Sequence, residues 1–99
     1  LSDIKLPDKE FQVLKDDYIK GLEDQYREMR EQYKVMDIDG LSKNVHMLKG
    51  AANMFECEQL YVKAVAVDTA LKNDTVTLDA QLFTSLFCAM QDEITKVNY

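Results

Sequence analysis

The sequence predicts an all-α domain: an antiparallel, up-and-down four-helix bundle with a short N-terminal extension. Three observations carry this expectation. Turn formers are scarce, with one Pro and three Gly in 99 residues, fewer than the tight turns of a small sheet-rich domain require. Apolar residues return at helical spacing in four separate stretches. The connections between those stretches are short, which makes antiparallel packing the default. The length suits one domain. With 46% apolar and 30% charged residues, the composition is that of a folded chain and not a disordered one.

Residues 1–7 read as a linker or N-terminal extension, and residues 8–99 as the bundle. Pro7 followed by Asp8 marks the start of the first helix. Its apolar stripe is Phe11, Leu14, Tyr18, Leu22, Met29 and Tyr33, and it runs to about Met36 with Gly21 as a mild weak point. Asp37-Ile38-Asp39-Gly40 is a turn and a helix start. The second helix turns Leu41, Val45, Leu48, Ala52 and Phe55 inward, and Glu56-Cys57-Glu58 is the next turn. The third carries Leu60, Ala64, Val67 and Leu71 and ends at Asn73-Asp74. Thr77 is placed to cap the fourth. That helix has a stripe of Leu78, Leu82, Leu86, Met90, Ile94 and Val97, broadened by Phe83 and Phe87.

Composition excludes several function classes. The net charge is −6 and no basic stripe stands clear of Asp and Glu, so nucleic acid is not an expected partner. No apolar run approaches the length of a membrane span, and Leu1–Lys5 shows no charged-then-apolar leader pattern. A cytoplasmic domain with no direct membrane contact is expected. Cys57 and Cys88 stand apart from each other and from any ligand set, so both read as reduced thiols, with no metal site and no cofactor. No P-loop and no glycine-rich kinase loop occurs, which argues against an enzyme that uses ATP.

The second helix carries the chemistry. On a wheel of about 100° per residue, its apolar residues fill one arc. His46, the only histidine, lies roughly opposite. Lys49 and Gly50 follow one turn further along, and Asn53 two turns along on nearly the same line. A neutral imidazole is a good nucleophile near neutral pH, because its pKa lies near ~6.5. A lysine one turn away can pair with phosphate oxygens, and a glycine beside it removes a side chain that would block an approaching group. Residue types alone leave His46 open between a reactive group and an ordinary surface histidine. They leave Lys49 open as a solubility charge and Gly50 as a site of close helix packing.

The run His46-Met47-Leu48-Lys49-Gly50-Ala51-Ala52 resembles the signature of histidine phosphotransfer (HPt) domains: His, two residues, Lys, Gly, then two small residues. The resemblance extends from Asp8 onward, through the long helix before the motif, Phe55, Leu60 and two further helices like Val62–Lys72 and Leu78–Val97. It implies that His46 is the phosphoacceptor and that Lys49 stabilises the phosphoryl group. Gly50 and Ala51, with Met47 and Asn53 beside them, would form the docking surface for receiver domains. It further implies a monomeric phosphocarrier, not an autonomous enzyme, serving a multistep two-component phosphorelay. Such domains occur at the C-terminus of hybrid sensor kinases, some of them membrane-bound. One departure is Glu56, where the family commonly has glycine. A glycine suits a left-handed helix cap, so Glu56 predicts a different helix end.

If the second and third helices form a hairpin centred on Cys57, His46 and Asp68 are each eleven positions from its centre and lie level across it. HPt domains often place Glu or Gln at this distance, where it hydrogen-bonds the ring. Asp68 is shorter, so direct contact, a water bridge and a merely solvated carboxylate all stay open. A contact with Nδ1–H would leave Nε2 free to attack phosphorus and would raise the pKa of His46. The alternative function is a helical interaction module without phosphoryl chemistry, docking through Met47, Met54 and the apolar ends. A metal carrier built on His46 lacks ligands.

Overall fold

A computed structural model of the chain describes residues 8–73 and 80–97. They form four helices and no strand: α1 (Asp8–Lys34), α2 (Ile38–Met54), α3 (Glu58–Lys72) and α4 (Ala80–Val97). The helices close a ring in which α1 packs on α2, α2 on α3, α3 on α4 and α4 on α1, while diagonal pairs do not meet. Short connections make chain neighbours antiparallel, so the predicted up-and-down bundle is the fold. Its extension at residues 1–7, the Thr77 cap, Asp74, Leu78 and the side chain of Val97 lie outside the described residues. No helix among the described residues is long and apolar enough to cross a membrane.

Each helix contributes its stripe to one core. Leu22 and Met29 of α1, Leu41, Val45, Leu48 and Ala52 of α2, Leu60, Ala64 and Val67 of α3, and Phe83, Leu86 and Met90 of α4 form one buried cluster. Aromatic rings bind α1 to α4. Tyr33 lies 4.7 Å from Phe83, and Tyr26 meets Phe87 edge-on at 5.7 Å, an arrangement favoured by the ring quadrupole. The α1 stripe needs correction at Leu14, and Ile19 was missing from it. Leu14 is 46% exposed, whereas Ile19 is buried. On a wheel centred on Leu22, Leu14 falls about 80° to one side and Ile19 about 60° to the other, and the bundle covers Ile19's flank. Phe55, Leu71, Leu82 and Ile94 are half-buried, at the rim of the core. Phe55 stacks on Tyr18 at 5.0 Å.

The first two connections use the same device. After α1, Met36 adopts φ 59°. The Asp37 N–H donates to the Gln32 carbonyl at 2.8 Å, and the Met36 N–H to the Tyr33 carbonyl at 3.2 Å. After α2, Glu56 adopts φ 60°. The Cys57 N–H donates to the Ala52 carbonyl at 2.9 Å, and the Glu56 N–H to the Asn53 carbonyl at 3.3 Å. These paired bonds satisfy the last carbonyls of each helix. The different helix end predicted from Glu56 is therefore not what forms. The left-handed cap survives without glycine because the two bonds and the buried Cys57 hold it. Met36 also explains why α1 stops at Lys34 instead of near Met36. Asp37 then caps α2 by accepting from the Gly40 N–H at 3.1 Å. A Cβ on Gly40 would come within 2.5 Å of that same carboxylate.

A side chain in the left-handed region costs roughly 1–2 kcal/mol, against which glycine loses roughly 0.5–1 kcal/mol in chain entropy. Glu56→Gly should therefore stabilise the domain by about 0.5–1 kcal/mol, read as a higher urea midpoint at unchanged slope. A lower midpoint would mean that Glu56 makes a compensating contact.

Candidate functional site

The outward face of α2 is positioned by what its inward face does. Leu41, Val45, Leu48 and Ala52 are fully buried, which fixes the helix against the core. A polar clamp then fixes its rotation. Asn44, buried at 6% exposure, donates to Glu28 Oε1 at 3.0 Å and Gln32 Oε1 at 2.9 Å. Its side-chain oxygen accepts from Gln25 at 3.2 Å. A satisfied buried network specifies one arrangement of the elements it joins. Asn44 escaped sequence reasoning, though its place at the edge of the apolar arc of α2, about 60° from Leu41, was a usable signal.

With α2 so held, His46 is exposed, as are Gly50 and Asn53, while Ala51 is half-buried. Met47 is 60% exposed and Met54 67%, and their seven-residue spacing puts them on one line of the helix. Met47 also walls an open groove between α1 and α2, whose other lining includes Tyr18, Gly21, Gln25 and Asn44. Beyond its own stretch of helix, a Cβ built on Gly50 would meet no atom of the described residues within 4 Å. Close packing inside this domain therefore does not account for glycine here. The face is partly apolar and carries one imidazole.

Lys49 points the other way along the surface, toward α3. Its Nζ donates to Asp68 Oδ2 at 2.7 Å, and Lys72 Nζ lies 3.1 Å from the same oxygen. Asp68 meets α2 at Lys49, and it is 2% exposed and not a solvated surface residue. Its partners in the structure are the two lysines rather than the ring of His46, and its buried Oδ1 has no hydrogen-bond partner among the described residues. Burial pushes this carboxyl up, but hydrogen bonds from Lys49 and Lys72 and their charges outweigh it and hold it below the ordinary carboxylate range. Lys72 was the second residue sequence reasoning missed, although its place four residues after Asp68 marks an ion-pair position on a helix. Among the described residues no cluster of His, Cys, Asp and Glu could hold a metal ion.

The arrangement offers an accessible nucleophile, a cation one turn away along α2 and exposed small and apolar residues beside them. A protein-family model described as the Hpt domain matches residues 13–98, which include every residue of this face. No curated protein and no solved structure gives a significant match.

Proposed function

The chain belongs to the Hpt domain family, and from that premise we propose that His46 accepts a phosphoryl group from a receiver-domain aspartate and passes it to another receiver. Domains of this family carry phosphoryl groups on histidine in phosphorelays with receiver domains; they are phosphocarriers and not kinases. The observation that carries the assignment to His46 is that the only histidine of the chain is exposed on α2. In the transfer, the Nε2 lone pair forms a bond to phosphorus as the bond from phosphorus to the aspartyl oxygen breaks. The bonding pair leaves with the carboxylate, and the proton on Nδ1 is released to solvent. The return transfer reverses these steps. The acid–base groups and the Mg²⁺ belong to the receiver. The same reading puts the domain in the cytoplasm, as a monomer, beside the receivers that load and unload it.

Lys49 is the group that offsets phosphoryl charge. Met47, Gly50, Ala51 and Asn53 form the surface on which the receiver lies. The test is incubation with a phosphorylated receiver and measurement of acid-labile, base-stable phosphate on this chain. Lys49→Ala should load more slowly or lose its phosphoryl group several-fold faster, and should also lower stability, since it removes one of the two partners of the buried Asp68. An unchanged rate and lifetime would remove Lys49 from the site. Gly50→Gln should gain up to about 1 kcal/mol of stability, because glycine is a poor helix former and the new side chain enters open space. It should transfer to and from a receiver at least tenfold more slowly, since the side chain then stands where the receiver docks. Equal transfer at raised stability would show that Gly50 serves another purpose.

A further inference from the structure

We propose that Lys72 is a positioning residue: by keeping Asp68 paired, it frees Lys49 to leave that carboxylate for the phosphoryl group on His46. The inference rests on the reading of His46 as the phosphoacceptor and adds a residue and a motion to it. Its ground is an imbalance of charge. One carboxylate oxygen, Asp68 Oδ2, faces two ammonium groups, Lys49 at 2.7 Å and Lys72 at 3.1 Å. The Asp68 side chain is 3% exposed, that of Lys49 26% and that of Lys72 59%.

A buried carboxylate that loses its partner is strongly destabilising. With Lys49 alone, moving its ammonium to His46 would leave that carboxylate uncompensated, and the lysine would be locked. Lys72 removes the lock. It sits on α3 four residues after Asp68, the spacing at which helix neighbours pair. It stays with the carboxylate while Lys49, one turn from His46 on α2, changes acceptor. Lys49 then exchanges one anionic oxygen for another, Asp68 Oδ2 for a phosphoryl oxygen, and the buried charge is never left alone. Lys72 acts through Asp68 and need not touch the phosphoryl group.

The full 99-residue chain can be loaded with phosphoramidate, a small donor whose P–N bond breaks as the His46 Nε2–P bond forms and ammonia leaves. Receiver docking then plays no part. The readouts are the hydrolytic half-life of the phosphohistidine and the NMR signal of the Lys49 ammonium, with the amide spectrum reporting that each variant is folded. Lys72→Met should shorten the half-life about as far as Lys49→Ala does, and the Lys49 signal should no longer shift on loading. Adding Asp68→Asn to Lys72→Met should restore the half-life, because the neutral amide no longer holds Lys49. Adding Asp68→Asn to Lys49→Ala should not. If Lys72→Met shortens the half-life equally in the Asp68→Asn background, Lys72 acts on the phosphoryl group directly and the proposal falls. No effect of Lys72→Met in the parent would overturn it too. A parent chain that takes no phosphoryl group on His46 overturns the functional reading, and this inference with it. A parent that loads but shows none of these couplings overturns the inference alone.

Discussion

His46→Gln should abolish phosphoryl uptake from a phosphorylated receiver while leaving the bundle intact. His46 is the only histidine and is exposed, so its replacement removes no core contact. A surface change away from caps and buried pairs alters stability within about 0.5 kcal/mol. The thermal midpoint should therefore hold while acid-labile, base-stable phosphate on the chain falls to background. Binding of the unphosphorylated receiver should survive, because Met47, Gly50, Ala51 and Asn53 are untouched. These separate readouts distinguish the phosphocarrier from a plain interaction module, for which the substitution would leave every measured property in place. Uptake by the variant equal to that of the parent would place the phosphoryl group elsewhere and sink the assignment.

How far the sequence discloses such a site depends on whether each feature is local. The arc of Leu41, Val45, Leu48 and Ala52 and the opposite placement of His46 follow from helical periodicity alone, and the structure has them as read. The left-handed residue at Glu56 does not follow from residue preference, because the conformation is imposed by bonds to Ala52 and Asn53 and by burial of Cys57. Tertiary context outweighs a cost of roughly 1 kcal/mol. The fate of Asp68 is non-local in the same way. Its place at the edge of the apolar stripe of α3 follows from helical periodicity. Its choice of Lys49 over the ring depends on side-chain length and on the second cation, Lys72, which no pattern on α2 discloses. Leu14 and Ile19 show the limit within one helix: both fit an apolar stripe, and only the position of α1 in the ring decides which flank is covered.

Leu48→Ala should be the substitution that most weakens the fold without touching the chemistry directly. Leu48 is fully buried and sits on α2 between His46 and Lys49, with its side chain on the opposite face. Truncating a buried leucine costs about 2–5 kcal/mol, because transfer energy is lost and a cavity remains. A domain of this length has only about 5–15 kcal/mol to lose. The thermal midpoint should fall by roughly 8–40 °C, at roughly 4–8 °C per kcal/mol. The residual fold still holds Asn44 through Gln25, Glu28 and Gln32. Well below the new midpoint, the rate at which His46 is loaded should stay within a few-fold of the parent. Stability and transfer would thus separate on neighbouring residues: Leu48 moves the first and His46 the second. A loss below about 1 kcal/mol would mean that the neighbouring side chains close over the cavity, and the α2 face would then owe its position chiefly to the Asn44 clamp.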